Sequence, residues 1–320
     1  MTTLITGGTG FIGSYLAKQL IEKGEEPVLL DIAPPGIMID SVSGRFRFVQ
    51  GSLGNLSILI NCFKDFGVSR IFHLGGMLSV PSENNPWAAF DTNIMGTYNI
   101  LEAARITGVK QIIYGSTVAT YSKGIKTGVI DDDTIQRPTS MYGITKVCSE
   151  MLGRFYRRRF DIDFRGIRIP SVVGPGSRTE HMSIYNAWAI EYPLKGKPYI
   201  LKCDPETRCP IIYFKDVSRA LMMLADADIN SIPTMIYNLA GIYPAVSAKE
   251  LTDEIIKQIP EAILTFKPEP KIVELLKELG SLSFDDSCAK NEWGWKIAYP
   301  LSELIEDFIL EFNTNKELYI

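Results

Sequence analysis

Apolar residues recur with two different spacings along the first half of the chain. Short runs that are apolar almost throughout predict strands, and apolar residues three and four apart predict amphipathic helices. The predicted strands are Thr2–Thr6, Pro27–Asp31, Arg45–Gln50, Ile71–Leu74, Val109–Tyr114 and Asp163–Ile169. The predicted helices are Phe11–Lys23, Leu56–Phe66, Ala88–Ala104 and Met141–Arg158. Strands without polar alternation, separated by helices, indicate a parallel sheet covered on both faces.

The pattern becomes less regular after residue 170. Helices are predicted at Ser183–Leu194, Ala248–Ile259 and Ser302–Phe312, and a strand at Lys197–Lys202. Right-handed crossovers turn the first half into a doubly wound sheet. We interpret the second half as a smaller lobe that caps this sheet.

A glycine-rich turn connects the first predicted strand to the first predicted helix. Gly7, Gly10 and Gly13 stand in the segment GGTGFIG, residues 7–13. Glycine permits the tight turn, lets the backbone approach a pyrophosphate, and lets the helix pack close to the strand. The free amides at the helix N-terminus, those of Phe11 and Ile12 among them, would then meet the phosphates. A strand before the loop and a helix after it favour a dinucleotide site over a purely structural turn.

Asp31 ends the second predicted strand, at the spacing expected for an acceptor of ribose hydroxyls. Its carboxylate would repel a 2′-phosphate, so the sequence predicts NAD rather than NADP. The predicted fold is therefore α/β, a Rossmann-type doubly wound parallel sheet with a small C-terminal α/β substrate-binding lobe. Residues 1–170 form the predicted NAD-binding domain, to which 211–243 return. Residues 171–210 and 244–320 form the predicted lobe.

A phenol and an ammonium group stand four residues apart at Tyr142 and Lys146. On a helix they share one face. A nearby positive charge favours phenolate, so we expect Lys146 to lower the pKa of Tyr142, which could then act as a general base. The fifth predicted strand leads into Ser116 and Thr117 at the carboxyl edge of the sheet, where ligands bind. A hydroxyl at that edge could hydrogen-bond a substrate oxygen.

Composition narrows the possible partners. The 320 residues include 37 acidic and 33 basic side chains, a net charge of −4, which argues against nucleic acid. No stretch approaches the roughly 20 apolar residues of a membrane helix, and no signal peptide is apparent. Five scattered cysteines without a CxxC pair indicate a reducing compartment, and we expect a cytoplasmic protein. The only histidines, His73 and His181, are far apart, so no metal is predicted.

Taken together, these motifs resemble the extended short-chain dehydrogenases/reductases, in the NAD-dependent epimerase/dehydratase family. The matching segments are GGTGFIG (7–13), HLGG (73–76), NIMGTYNILEAA (93–104), GSTVATY (115–121), YGITK (142–146) and IPSVVGPG (169–176). The resemblance implies catalytic roles for Thr117, Tyr142 and Lys146. It also implies that NAD is bound by residues at the strand ends and on the catalytic helix, namely Leu74, Gly75, Gly76, Asn93, Ser116, Tyr142, Lys146, Pro170, Ser171 and Val172, besides those of the glycine loop and Asp31.

Within this family, HLGGMLS (73–79), RPTSMYGITK (137–146), PETRCPIIYFKDV (205–217) and FDDSCAKNEWGW (284–295) are most similar to short-chain-type L-threonine 3-dehydrogenases. The loop 180–185 departs from them, since Ile184 cannot pair with an ammonium group as a carboxylate can. Candidate substrate contacts are Ser79, Ser116, Arg178, His181 and Arg208. His73 is expected to be a packed, hydrogen-bonded histidine, Cys148 to be buried and inert, and Asp131–Asp133 to lie in an exposed loop.

Three functions remain open. The first is an NAD-dependent dehydrogenase that oxidises a secondary alcohol of a small hydroxy acid, as a threonine dehydrogenase does. The second is a nucleotide-sugar epimerase or dehydratase, similar to UDP-glucose 4-epimerase, that keeps its NAD. The third is a protein that binds the dinucleotide without catalysis. The resemblance also suggests a homodimer formed through helices 88–104 and 141–158, with Leu101 and Met151 as candidate contacts.

Overall fold

A seven-stranded parallel sheet forms the centre of the molecule, in a computed structural model that describes residues 1–122, 125, 128–178, 181, 183–280 and 282–320, without the side chains of 271, 275 and 277–279. Its strands are β1 (Thr2–Thr6), β2 (Val28–Asp31), β3 (Arg47–Gln50), β4 (Val68–His73), β5 (Gln111–Thr117), β7 (Asp163–Ile169) and β12 (Ile236–Asn238). Their spatial order is β12-β7-β5-β4-β1-β2-β3. The strand order reverses between β1 and β4, which confirms the predicted doubly wound fold.

Helices cover both faces of this sheet. One face carries α3 (Leu56–Asp65), α6 (Gly96–Thr107) and α7 (Met141–Phe160), whose apolar side chains pack with Leu4, Ile71, Ile112 and Phe164. The other face carries α1 (Phe11–Glu22) and α9 (Phe214–Asp226), which pack with Ile5, Phe72, Ile113 and Ile167. Alternate residues of each strand therefore feed two separate cores, which explains why these strands are apolar throughout.

A third core lies in the C-terminal half, where α8 (Tyr185–Leu194), α10 (Ala248–Gln258) and α13 (Leu301–Thr314) pack together. The short strands pair as β8 (Ser171–Val173) with β11 (Ile211–Tyr213), β9 (Tyr199–Leu201) with β14 (Leu264–Phe266), β10 (Arg208–Cys209) with β13 (Val246–Ser247), and β6 (Val129–Ile130) with β15 (Ser283–Phe284). The remaining helices are α2 (Ile37–Asp40), α4 (Ser79–Asn84), α5 (Pro86–Ala89), α11 (Pro270–Gly280), α12 (Ser287–Trp293) and α14 (Lys316–Tyr319).

The helix predicted over 88–104 is interrupted. Its first part is α5, a π-helical segment follows at Phe90–Met95, and α6 begins at Gly96. A π segment widens the turn and is frequent at functional sites. Here it contains Asn93, which is buried and directed at the loop after β4.

The domain boundaries remain a prediction, and one assigned segment lies elsewhere than expected. Strand β12 is the edge of the central sheet, as a return of 211–243 to the first domain requires. Ala289, Trp293 and Trp295 were assigned to the lobe, yet they pack in the core between α1, α9 and the central sheet. The rings of Trp293 and Trp295 lie beside each other, with centroids 5.8 Å apart. Their large apolar surfaces complete that core.

Gly153 is where α7 comes closest to β7. A Cβ atom at this position would lie 2.2 Å from the ring of Phe164, which is fully buried. We predict that Gly153→Ala lowers the free energy of unfolding by about 1–3 kcal/mol, because overpacking shifts a closely packed ring. Urea denaturation measures this change in the free energy of unfolding. Gly36→Ala is the control, since a Cβ there meets nothing within 4 Å; equal stability losses would contradict the packing.

Candidate active site

The glycine loop lies at the point where the strand order reverses. Gly7 follows β1 and adopts φ +68°, a left-handed conformation that favours glycine. A Cβ on Gly7 would lie 2.9 Å from the backbone of Gly75, which follows β4. A Cβ on Gly13 would lie 2.1 Å from the carbonyl oxygen of Gly7. The two loops therefore touch backbone to backbone, and larger residues would close the crevice between them.

The first turn of α1 suits a pyrophosphate. Its N-cap residue is Gly10, no side chain caps the first amides, and the turn contains no acidic residue. Amides without an intrahelical partner, at the positive end of a helix dipole, attract phosphate oxygens. The ring of Phe11 packs against Phe214 with centroids 5.4 Å apart, and Ile12 packs with both cores that α1 touches. These side chains fix the direction of the helix start.

Asp31 lies at the end of β2, beside this loop. Its carboxylate accepts hydrogen bonds from the amides of Thr9 at 3.1 Å and Ala33 at 3.2 Å. These bonds hold one carboxylate between the glycine loop and the chain after β2, where the ribose hydroxyls of a dinucleotide would lie. The glycine cradle, the uncapped helix start and this carboxylate together fit NAD.

Thr117 and Tyr142 approach each other because α7 starts against the end of β5. Ser140 caps α7 by accepting from the amide of Gly143 at 3.1 Å. A Cβ on Gly143 would lie 2.3 Å from the carbonyl oxygen of Ala119. This close approach places the Thr117 hydroxyl beside the phenol of Tyr142.

Lys146 lies one helical turn after Tyr142 and is buried. Its Nζ donates to the carbonyl oxygen of Gly115 at 2.7 Å. The same ammonium lies 5.7 Å from the ring centre of Tyr142 and 4.7 Å from that of Tyr114. The predicted set of hydroxyl, phenol and ammonium groups is thus assembled at the carboxyl edge of the sheet.

The protonation of Tyr142 differs from expectation. Burial raises the pKa of its phenol to about 12, and the neighbouring Thr117 hydroxyl opposes this rise. The predicted lowering by Lys146 is wrong, because desolvation of the phenol is the larger effect. Burial also lowers the pKa of Lys146 to about 8, against the opposing charge of Glu150. Near neutral pH the phenol keeps its proton and Lys146 is mostly charged.

The side chains of Asn93 and His73 form hydrogen bonds with other protein groups behind the crevice. The Asn93 amide accepts from the Met77 amide at 2.7 Å and donates to Met77 O and to Thr145 Oγ1, so it ties the loop after β4 to α7. His73 bridges Thr6 at 2.7 Å and Thr97 at 3.0 Å, as expected of a packed histidine. Burial, together with the charge of Lys146, lowers the pKa of His73 to about 3.

The remaining predicted cofactor contacts line the crevice walls. Leu74, Gly75 and Gly76 follow β4, and a Cβ on Gly76 would lie 2.9 Å from Asn93 Oδ1 and 4.0 Å from Lys146 Nζ. Pro170 and the strand β8, with Ser171 and Val172, continue directly from β7. Whether each of these residues touches NAD remains a prediction.

Ser116 has a different role from the one predicted. It is buried, and its hydroxyl donates to Glu150 at 2.5 Å. Glu150 also accepts from Arg168 at 2.9–3.2 Å and from Gln136 at 3.0 Å. Glu150 and Arg168 are not among the residues predicted from the sequence. Only Glu150 had a local indication, since it lies four residues beyond Lys146 on the same face of α7.

Hydroxyl groups and an imidazole lie together on the lobe side. Ser171 donates to Ser183 at 2.7 Å, and Nδ1 of His181 lies 3.2 Å from the same Ser183 oxygen. Burial lowers the pKa of His181 to about 4, so this ring is neutral near pH 7. Ile184 is buried in the lobe. Glu180 and Met182 of the same loop lie outside the described residues.

The predicted arginine contacts are engaged elsewhere. Arg208 donates to the carbonyl oxygen of Ala245 at 2.6 Å and lies 3.2 Å from Glu250. Arg178 is exposed and donates to the carbonyl oxygen of Tyr319 at 3.2 Å. These contacts use only some of the five N–H donors of each guanidinium, so a contact of either arginine with the substrate stays a prediction. Ser79 begins α4 and is half-buried.

The expectation that Asp131–Asp133 lie in an exposed loop is wrong for Asp132. Asp132 is buried, accepts from the amide of Asn238 and lies 3.9 Å from Arg168. Burial raises its pKa to about 6. Across the described residues, no group of three or more metal-ligating side chains converges on one point.

The fold and the site define an enzyme that uses a dinucleotide, and comparison with known proteins agrees. The model of the NAD dependent epimerase/dehydratase family matches residues 3–240. The chain belongs to this family and is an NAD-dependent enzyme.

Individual relatives narrow the comparison. The chain is 30% identical over 308 residues to the mitochondrial L-threonine 3-dehydrogenase of Bos taurus, with 94% of this chain and 80% of that protein covered. It superposes on the GalE-like L-threonine dehydrogenase of Cupriavidus necator in its holo form with a TM-score of 0.90 at 25% identity, over 98% and 100% of the two chains. UDP-glucose 4-epimerase of Thermotoga maritima, solved with UDP-glucose, gives a TM-score of 0.87 at 25% identity, over 99% and 100%.

Asp31 offers a direct test of the dinucleotide site. Asn at this position keeps an oxygen for the neighbouring amides but removes the charge. We predict that Asp31→Asn reduces the preference for NADH over NADPH by at least about tenfold, since a hydrogen bond to a charged group contributes about 1.5–3 kcal/mol. Fluorescence titration with both dinucleotides measures this ratio. Asp40→Asn, exposed on α2, is the control; an unchanged ratio in Asp31→Asn would contradict the assignment.

Proposed function

We propose that this protein oxidises the secondary alcohol of a small hydroxy acid, L-threonine or a close analogue, with NAD as the oxidant. The observation that carries the proposal is the assembly of Thr117, Tyr142 and Lys146 at the carboxyl edge of the sheet, with Lys146 fixed to Gly115. The relatives named as threonine dehydrogenases support this class of substrate.

Thr117, Tyr142 and Lys146 would have different roles in proton transfer. Thr117 would hydrogen-bond the alcohol oxygen and hold it beside the phenol. Burial keeps the proton on the phenol of Tyr142 near neutral pH, so the phenol must first release it. As phenolate, Tyr142 would accept the hydroxyl proton of the alcohol, and the positive charge of Lys146 would oppose the effect of burial. NAD, when bound, accepts the hydride that leaves the substrate carbon. In the opposite direction the protonated phenol would return the proton to the oxygen of the ketone.

The lobe would supply the selectivity. Ser171, Ser183 and the neutral ring of His181 provide hydrogen-bonding groups beside β8. They suit a small polar substrate. In the described part of the loop, Ile184 is buried and offers no charge to an amino group. An analogue of threonine that lacks the amino group is therefore a second candidate substrate.

An epimerase or dehydratase acting on a nucleotide sugar is the alternative. The likeness to UDP-glucose 4-epimerase favours it, because the same hydroxyl, phenol and ammonium groups could oxidise a sugar transiently. That reaction would consume no net NAD. The two functions therefore differ in whether NADH accumulates.

A homodimer is part of the proposal. Ile144, Met151 and Phe155 form an exposed apolar row on α7, with 44–47% of each side chain exposed. Tyr98 and Ile106 are exposed on the neighbouring α6. Such a patch on two adjacent helices suits a self-complementary interface. Of the two predicted contacts, Met151 belongs to this row; Leu101 is fully buried and is a core residue instead.

The described helices include none that is long and apolar enough to cross a membrane. A cytoplasmic location stays a prediction.

The function is tested by mixing the protein with NAD and, in separate reactions, L-threonine, other 3-hydroxy acids and UDP-glucose. We predict NADH together with an oxidised hydroxy acid. Tyr142→Phe should lower kcat by about 10²–10⁴-fold, the usual contribution of a general acid–base group, while NADH binding is kept. Tyr243→Phe, an exposed tyrosine, is the control. An isomerised sugar without NADH would support the alternative and contradict the dehydrogenase.

The dimer is tested by sedimentation. We predict that the wild-type chain sediments at twice its mass of 35.7 kDa and that Met151→Asp sediments as a monomer, since a buried unpaired charge opposes association. Leu310→Asp, exposed on α13, should leave the dimer intact. A monomeric wild type, or a dimer that survives Met151→Asp, would contradict this interface.

A further inference from the structure

A buried ion pair lies directly behind the proposed catalytic residues. Glu150 is fully buried on α7, and Arg168 on β7 is 2% exposed. Arg168 donates from Nε at 3.1 and 3.2 Å and from Nη2 at 2.9 Å to the two carboxylate oxygens. Removing two charges from water is costly, and an apolar pair of similar size would often be as stable or more so. Stability alone therefore gives a weak reason for this pair.

The contacts of Glu150 connect it to both sides of the reacting groups. On β5, Ser116 donates to Glu150 at 2.5 Å, and the next residue is Thr117. On α7, Lys146 is one turn away and donates to Gly115, the residue before Ser116. The end of β5 is thus held to α7 by two consecutive residues, one through its carbonyl oxygen and one through its side chain.

We propose that Glu150 is a positioning residue for the reaction: it holds Ser116, and through Ser116 the backbone of Thr117, in place beside Tyr142, and it lies one helical turn from Lys146 on the same face of α7. Arg168 and Gln136 keep the carboxylate oriented. This inference rests on the proposed roles of Thr117, Tyr142 and Lys146.

The surroundings of Lys146 leave Glu150 as its principal anionic neighbour. From α7 it faces Tyr142 and Glu150, from β5 it faces the Tyr114 ring and Gly115 O, and from β4 it faces the neutral His73. Burial lowers the pKa of Lys146 to about 8, and the charge of Glu150 opposes that fall. Without this charge, Lys146 would lose its proton at a lower pH.

Two substitutions separate the two roles. Glu150→Gln keeps an oxygen that can accept from Ser116 but removes the charge. Ser116→Ala keeps the charge but removes the hydrogen bond to β5. We expect Glu150→Gln to move the alkaline limb of kcat/KM to lower pH by half a unit or more. We expect Ser116→Ala to lower kcat by roughly 10- to 100-fold, as a small misplacement of reacting groups does, with KM and the pH profile unchanged.

The protonation of Lys146 is also measured without turnover. Lysine labelled with ¹³C at Cε is titrated by NMR in the wild type and in Glu150→Gln, with Lys146→Met to assign the resonance. The pKa of Lys146 should be lower by half a unit or more in Glu150→Gln than in the wild type. A wild type that oxidises no alcohol, yet shows this shift, would refute the proposed function and leave the Glu150–Lys146 coupling in place.

A purely structural role has its own test. Glu150→Leu/Arg168→Met replaces both charges of the pair by apolar groups of similar size, an exchange that often leaves stability unchanged. It also removes the hydrogen bonds from Arg168 to Tyr121 and Asn238, so the melting temperature is measured alongside activity. We expect this double variant to fold and to bind NADH while kcat falls at least tenfold. Wild-type kcat with a wild-type pH profile would overturn the proposal. Glu292→Gln is the control, because Glu292 is a half-buried carboxylate that also accepts hydrogen bonds from hydroxyl groups; this variant should leave the pH profile unchanged.

Discussion

The contact between the end of β5 and the start of α7 is the constraint on which the site depends. Gly143 can approach Ala119 O only because it has no side chain, and Lys146 reaches Gly115 O only because the helix lies this close. The contact places a hydroxyl, a phenol and an ammonium group within one small region. The glycine loop after β1 makes a second close approach, to Gly75, at the neighbouring strand end. The dinucleotide crevice and the reacting groups therefore share one edge of the sheet.

This arrangement has an electrostatic cost. Partial burial of the phenol and burial of the ammonium group favour their neutral forms, so the pKa of Tyr142 rises to about 12 and that of Lys146 falls to about 8. Polar neighbours oppose these shifts: the Thr117 hydroxyl beside the phenol, Gly115 O on the ammonium and the charge of Glu150. Positioned charge of this kind acts strongly at an active site because it needs no reorganisation during reaction.

The sequence could predict features that depend on local spacing. Gly7, Gly10, Gly13 and Asp31 were found from a strand–loop–helix pattern, and Tyr142 and Lys146 from their four-residue spacing on a helix. Features that depend on burial across the sheet could not be found in this way. In the sequence, Asp132 is one of three consecutive aspartates that are expected to be exposed. In the fold it is buried, accepts a hydrogen bond from the Asn238 amide and lies near Arg168. The role of Ser116 depends on Glu150, which is 34 residues further along the chain. The rise in the pKa of Tyr142 depends on how far the folded chain shields the phenol from water.

The central claim is that Tyr142, assisted by Thr117 and Lys146, takes the hydroxyl proton of a small hydroxy acid while NAD accepts the hydride from the carbinol carbon. Deuterium placed on that carbon follows the hydrogen directly. With L-threonine deuterated at C3, or its analogue without the amino group, mass spectrometry of the released cofactor should show NADH that carries the label. Released NADH without deuterium, or substrates recovered with their label and no NADH formed, would contradict the account.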